Sequence, residues 1–240
     1  MTASEPRVSI VIPAYNEGEN ILPGLERIVD AVTTDHEILV VVDSEDDTTV
    51  PVVRRFAKTH PRVSILVNDY GRGPAHAIRY GFDHARAVTT VVTMADGCDD
   101  PRQIDDLTQL VERGVVVAAA SRYMAGGQQV GGPRFKGFLS RMAGRTLYTF
   151  AGVGTRDATN SYKAYNTAFV RDVGIESRDG FELGLELTAK ARRRRLPVAE
   201  IPTIWLDRSV GVSNFKMSKW IPKYLHWYFH AFGRAERGAH

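Results

Sequence analysis

VVTMADGCDDP, residues 91–101, runs from strand-like sequence straight into an acidic loop. Its first half is apolar and β-branched, which suits a buried parallel strand. It then breaks into the carboxylates Asp96, Asp99 and Asp100 and closes on Pro101. In open α/β sheets, ligands bind outside the carboxyl ends of the strands. Carboxylates gathered there can hold a hard divalent cation by oxygen ligation, and that cation can hold a phosphate. The same residues also suit a plainer role, capping the helix expected to follow near Gln103.

The pattern extends outward on both sides. Upstream, Arg7–Pro13, Glu37–Val42 and Val63–Val67 read as strands, and Val115–Ala120 is a further one downstream. The second runs into another acidic loop, Asp43 to Thr48. Apolar residues recur at helical spacing over residues 19–33, through Val52, Val53 and Phe56, behind the turn Gly71-Arg72-Gly73-Pro74, and over Ile104–Glu112. Alternation of strand and helix predicts an α/β fold with one mostly parallel, doubly wound sheet. After Ser121 the character changes. Residues 121–134 are glycine-rich and expected to be mobile. Helices are expected over 137–150, Glu182–Arg194 and Ser218–Gly233, with strands over Ser161–Asn166 and Val198–Ile204 and a polar loop over Trp205–Lys216. Four arginines, 192–195, end the second of these helices, where they suit its dipole. The tail from Arg234 is expected to be disordered.

The 240 residues allow a real core. The expected division is a domain over 1–217 and a C-terminal amphipathic helix and tail over 218–240, in one structural unit. A net charge of +3 is too small to argue for nucleic acid. The single cysteine, Cys98, permits no intrachain disulfide and no cysteine-built zinc site. MTASEPR lacks the features of a signal peptide, and no window approaches the roughly 18 apolar residues of a membrane span. The expected location is therefore cytoplasmic, with peripheral contact at the membrane face. No GxxxxGK[ST] and no GxGxxG after the first strand is present, so the phosphate site is neither a Walker loop nor a dinucleotide fingerprint. Two acidic loops and a glycine turn at neighbouring strand ends suit a nucleoside diphosphate with a metal ion.

Eight motifs carry a resemblance. In order they are VSIVIPAYNEGEN (8–20), ILVVVDSEDDTT (38–49), DYGRGPAHAIRYGF (69–82), the acidic strand end at 96–101, SRY (121–123), DATNSYKAY (157–165), GFELGLEL (180–187) and DRSVGVSNFK (207–216). Together they resemble a family-2 glycosyltransferase of the GT-A fold, in the dolichyl-phosphate mannose synthase and polyprenyl-phosphate glycosyltransferase branch. The resemblance implies a nucleotide-sugar site at the carboxyl ends of the strands. Pro13, Ala14, Tyr15 and Glu17 would wrap the donor, a GDP- or UDP-linked sugar. Glu17 and Asp43 would meet base or ribose, and Asp69, Arg72 and Gly73 would form a lid. Arg72 is also compatible with a solvated turn.

The usual Asp-x-Asp of this family is incomplete here: aligned without a gap its aspartates fall on Ala95 and Gly97, and shifted by one they fall on Met94 and Asp96, so either way an expected carboxylate is missing. The expectation is that Asp96 and Asp99 share Mg2+ or Mn2+ with the donor phosphates. Matching segments supply Arg122, Lys136, Ser140, Arg141, Arg208 and Lys216 for an acceptor phosphate, with Arg122 and Arg208 foremost. A phosphate is already ionised and needs cations rather than a base. Glu182 stands where other members place a catalytic carboxylate, and is equally a helix-start glutamate. The implied reaction is an inverting transfer of a hexose such as mannose to a polyprenyl phosphate. Two other readings stay open: transfer to a soluble hydroxyl, or a non-catalytic nucleotide-sugar-binding subunit. Trp220, Tyr224, Trp227, Tyr228, Phe229 and Phe232 among Lys219, Lys223 and Arg234 suit a membrane interface, core packing, or contact with a membrane partner protein.

Overall fold

Side chains alternate between the two faces of the strands, and both faces are buried, which sets the layers. In the computed structural model, which describes residues 5–178, 180–207 and 217–235, strand β1 (Val8–Pro13) turns Val8, Ile10 and Ile12 to one face and Val11 to the other. The next strand, β2 (His36–Val42), divides Ile38, Val40 and Val42 from Leu39 and Val41 in the same way. Further strands are β3 (Val63–Val67), β4 (Thr89–Val92), β5 (Val117–Ser121), β6 (Gln128–Val130), β7 (Lys163–Asn166), β8 (Val198–Pro202) and β9 (Ile204–Leu206). The helices are α1 (Leu22–Ala31), α2 (Thr49–Ala57), α3 (Pro74–His84), α4 (Gln103–Glu112), α5 (Arg134–Thr146), α6 (Thr167–Val173), α7 (Leu183–Arg193) and α8 (Met217–Ala231).

Seven strands form the central sheet in the order β3-β2-β1-β4-β7-β5-β8. All pairs are parallel except those of β7, which lies antiparallel between β4 and β5. Leu25 and Ile28 of α1, Val50 and Val53 of α2, and Ile104 and Leu107 of α4 cover one face. Ile78 and Phe82 of α3, Phe169 of α6 and Leu187 of α7 cover the other. The doubly wound expectation holds. The chain leaves β1 toward β2 and β3 and later returns to β4 on the opposite side of β1. The strand order thus reverses at β1, the point at which a doubly wound sheet generally leaves a crevice at the carboxyl ends of its strands, here those of β1 and β4.

Three expectations change. The glycine-rich segment after Ser121 is not all loop: β6 pairs in parallel with β9, Gln128 opposite Ile204 and Val130 opposite Leu206. The strand expected over 198–204 divides at Thr203, whose N–H turns to Ser121 O. Trp205 and Leu206, expected in a loop, therefore lie in β9. Helix α5 begins at Arg134 and ends in a π-turn over Leu147–Ala151, stopped by Gly152.

The arginine run has a specific role. Arg192 donates to Ala151 O and Gly233 O, and Arg193 contacts the His230 ring and donates to Arg234 O. These bonds clamp the end of α8 onto α7. Trp227 and Ala231 of α8 pack into a cluster with Leu147, Ala151, Leu185 and Ala189. Its outer side leaves Ile221, Leu225, Phe229 and Phe232 exposed. No helix among the described residues is long and apolar enough to cross a membrane.

Lys163, central in the sheet, is fully buried and donates to the carbonyls of Ala158 and Asn160. Burial, against the nearby Asp157 charge, pulls its pKa from 10.5 down to about 7. The unfolded chain then binds the extra proton between these values, so stability rises as pH climbs from about 7 to 10.5. Below that window both states are protonated and the penalty is complete. Urea midpoints of wild type are expected to climb across the window relative to Lys163→Met. Parallel profiles for the two proteins would show that this lysine is charged throughout.

Candidate active site

The carboxyl ends of β1, β2 and β4 deliver three loops to one edge of the sheet. Backbone N–H groups there have left the strand ladder and need other acceptors. Past β1, Ala14 N still reaches Val41 O at 2.9 Å. Asn16 then takes a positive φ of 51°. Its N–H donates to Asp47 at 2.9 Å, and Glu17 N donates to Thr49 Oγ1 at 3.1 Å. Asp47 is buried and also accepts from Thr49 N at 2.8 Å. Pro13 and Ala14 are buried, Glu17 is half-buried, and Tyr15 projects at 67% exposure beside the crevice.

Asp43, expected to meet base or ribose, is half-buried; its Oδ1 accepts from Asn68 Nδ2 at 2.5 Å and its Oδ2 from Gly73 N at 2.8 Å. It ties the Gly71–Gly73 turn to the end of β2. Asp69 and Arg72 lie exposed on that turn.

The loop after β4 sorts its three carboxylates. Asp99 is buried, and its Oδ2 accepts from Thr93 Oγ1 at 2.9 Å and Met94 N at 3.3 Å. Burial, then the charge of Asp96, push its carboxyl up to about 7. Asp100 pairs with Arg102, which holds it below the usual carboxylate range. Asp96 is half-buried, with Oδ1 accepting from Cys98 N at 3.1 Å. Of the two carboxylates expected to share a cation, Asp99 is turned inward onto Thr93 and Met94 N and closes the turn, and Asp96 is the more exposed. No group of three or more His, Cys, Asp or Glu side chains is poised to hold a metal among the described residues. One oxygen ligand at a strand end fits Mg2+ or Mn2+ when a diphosphate completes the coordination shell.

The basic side of the crevice is built on Asp157, which has no solvent exposure. Arg122 grips it with Nε to Oδ2 at 2.7 Å and Nη2 to Oδ1 at 2.9 Å, while its backbone N donates at 3.0 Å. Burial opposes the guanidinium charge, but the Asp157 charge and hydrogen bonds outweigh it and hold the pKa above its ordinary value. The guanidinium also lies over the Tyr123 ring at 5.0 Å, and Arg141 of α5 lies over the same ring at 5.1 Å. Ser140 and Thr159 hydroxyls meet at 2.6 Å. Helix α5 reaches this loop because residue 144 is glycine: a Cβ there would collide with Arg156 O. Arg122, Ser140 and Arg141 are thus brought together. Arg208 and Lys216 lie outside the described residues, as does the side chain of Lys136.

Glu182 stands at the N-cap of α7, one of the two places expected for it. It is 2% exposed, and its Oε2 has no hydrogen-bond partner among the described residues. Its Oε1 accepts a long bond from Gly180 N at 3.4 Å. A buried carboxylate at the start of α7 is not open to an acceptor hydroxyl. Four residues on, Glu186 is buried too, and holds Glu176 N, Ser177 N and Lys190. The residues that reading by motif left without a role are Asn68, Asp47, Thr93, Asp157 and Arg27. Asp157 sat inside a quoted motif; Arg27 carried no local signal.

Residues 9–174 match the sequence model of Glycosyl transferase family 2. The polyprenol monophosphomannose synthase of Mycolicibacterium smegmatis is 30% identical over 230 residues, spanning 89% of this chain and 86% of that one. The undecaprenyl-phosphate mannosyltransferase of Micrococcus luteus is 29% identical, with 87% of each chain covered. Among solved structures, a Pyrobaculum calidifontis mannosyltransferase in complex with GDP-mannose and Mn2+ superposes with a TM-score of 0.67 at 22% identity, over 98% of this chain and 67% of that one. The glucosyl-3-phosphoglycerate synthase of Mycobacterium tuberculosis gives 0.68 at 15% identity, over 97% of this chain and 82% of that one. These two likenesses bear on the fold, and the fold they share is GT-A.

Removing one partner of a buried pair strands the other charge. Asp157→Asn is expected to lower the unfolding free energy by about 3–5 kcal/mol in urea titrations. A loss near zero would mean that water already reaches Arg122.

Proposed function

The chain belongs to glycosyl transferase family 2, and from that membership we propose that it transfers mannose from a nucleoside-diphosphate sugar to a polyprenyl phosphate. The relatives named for that activity, spanning most of this chain, support the substrate class. The observation that carries the reading is the arrangement around Tyr123: Arg122 fixed by Asp157, and Arg141 stacked on the same ring, facing a crevice whose other wall is acidic. Two permanent positive charges suit an ionised phosphate acceptor. The nearest family carboxylate that would serve a hydroxyl acceptor, Glu182, is buried.

The Asn16–Glu17 turn and the Gly71–Gly73 turn bracket the donor nucleotide, each held open by an aspartate that binds backbone amides. Asp96 supplies the protein oxygen for Mg2+ or Mn2+. When bound there, the cation neutralises charge on the diphosphate leaving group. Arg122 and Arg141 position the acceptor phosphate, with Ser140 alongside. A phosphate oxygen forms the new bond to the anomeric carbon as the bond to the diphosphate breaks, and the nucleoside diphosphate leaves with the electron pair. Attack opposite the leaving group inverts the anomeric centre. Arg208, Lys136 and Lys216 belong to this acceptor region by motif.

The acceptor tail is a lipid, and an exposed apolar surface lies beside the basic wall. Phe135, Phe138, Leu139 and Met142 on α5, Ile221, Leu225 and Phe229 on α8, and Phe232 just after it are all exposed. Tyr228 OH links the two helices through Thr146 Oγ1 at 2.8 Å. Aromatic and aliphatic side chains beside arginines suit peripheral docking at a membrane interface.

Asp96→Asn is expected to cut transfer of labelled mannose from GDP-mannose to polyprenyl phosphate by about 100-fold or more, with Mn2+ present. Full transfer by EDTA-stripped wild type would overturn the metal assignment, and transfer from UDP-sugars alone would reassign the base. Separately, the wild type is expected to float with anionic liposomes, whereas Leu225→Asp/Phe229→Asp remains in the lower fraction with its melting temperature kept. Equal flotation of both proteins would remove α8 from the membrane contact.

A further inference from the structure

One face of α1 lies along the loop that carries Asp96. Gly24 and Arg27, one helical turn apart, both meet it. A Cβ at Gly24 would stand 3.7 Å from Ala95 O, so the helix passes close to the residue before Asp96. Arg27 Nη1 donates to Gly97 O at 2.7 Å, and Nη2 reaches Asp99 O at 3.3 Å. The residue after Asp96 is thereby held from the same helix. The loop is gripped again further on, where the buried Tyr162 hydroxyl donates to Asp100 O at 2.7 Å. Backbone carbonyls are the points at which both side chains attach to the loop.

This loop is in particular need of such a scaffold. With two carboxylates on one cation, chelation itself fixes their directions. Here Met94 occupies the preceding position that an Asp-x-Asp would fill, and Asp99 is turned inward to Thr93 and Met94. A single ligand in a loop of glycine and small residues has to be aimed by what surrounds it. Three carboxylates within five residues also repel one another, and a guanidinium beside them offsets that repulsion. Arg27 contributes in this way to holding Asp100 ionised, after the larger effect of Arg102.

We infer that Arg27 is a positioning residue for the cation site: its two bonds to the carbonyls of Gly97 and Asp99 fix the direction of the Asp96 carboxylate. The inference rests on Asp96 being the protein ligand. Arg27 itself touches neither cation nor substrate and acts through the loop backbone. Its guanidinium fork is what spans two carbonyls, so lysine keeps the charge but reaches one of them at most.

The test is direct Mn2+ binding, read as free Mn2+ by electron paramagnetic resonance in the presence of GDP, and in parallel UDP, on the full chain. Wild type is expected to bind Mn2+ with the nucleotide. Arg27→Met is expected to weaken that binding about 10- to 100-fold, with Arg27→Lys between the two and melting temperatures of the metal-free proteins unchanged. At saturating Mn2+, the kcat of Arg27→Met is expected to return most of the way to wild type, since only site geometry has been loosened. Unchanged Mn2+ affinity in Arg27→Met, or a lowered melting temperature with unchanged affinity, would overturn the inference while leaving the cation site standing. Absence of nucleotide-dependent Mn2+ binding in wild type would overturn both.

Discussion

The buried pair between Arg122 and Asp157 organises the half of the molecule that the parallel sheet does not. Arg122 leaves the end of β5, and Asp157 lies in the segment that enters β7, the one antiparallel strand. Everything around that segment then takes its place from it. Gly144 sets α5 directly on Arg156 O. Arg156 and Thr155 reach the Glu200 carboxylate on β8. Lys163 binds the carbonyls of Ala158 and Asn160, and Ala158 joins the apolar cluster that seats Trp227 of α8. A buried ion pair is weak evidence for net stability, because desolvation offsets its attraction. Its contribution here is position: it sets a charged group at the crevice and prevents it from relaxing into solvent.

The acidic wall follows a different rule. Asp43, Asp47 and Asp99 all accept from backbone amides that have run out of strand partners. They shape loops. Asp96 is half-buried, and Arg27 of α1 holds the backbone that follows it through the carbonyls of Gly97 and Asp99. Electrostatic contrast across the crevice, acid on one wall and guanidinium on the other, suits the transfer of a sugar from a nucleoside diphosphate to a phosphate nucleophile.

Much of this was readable along the chain. Runs such as VSIVIP and EILVVV are near-continuously apolar, as strands buried on both faces tend to be, and they appear in β1 and β2, where the two exceptions, Ser9 and Glu37, hydrogen-bond each other. The helical spacing of Leu25 and Ile28, or of Ile104 and Leu107, placed α1 and α4. Motif order placed Arg122, Ser140 and Arg141 in one region, and they do gather around Tyr123. Other features were not readable. An arginine on an exposed helix face, as at 27, looks like any solvated residue until its helix is laid against a particular loop. The run 192–195 looked like a dipole effect, yet two of its members clamp α8. The short pairing of β6 with β9 joins residues some 75 positions apart, which no local pattern encodes.

The sequence by itself determined the layers, the strand-end location of the site and the supply of acidic and basic groups, because burial periodicity and charge are properties of neighbouring residues. The tertiary structure alone decided which carboxylate is turned inward and which is left partly exposed. Asp96 and Asp99 are chemically identical and three residues apart; one lies half-open at the crevice and the other is buried under Thr93 and Met94. That difference is set by which backbone amides and which neighbouring helix the folded loop meets. VVTMADGCDDP names the candidates, and α1 with the end of β4 makes the selection.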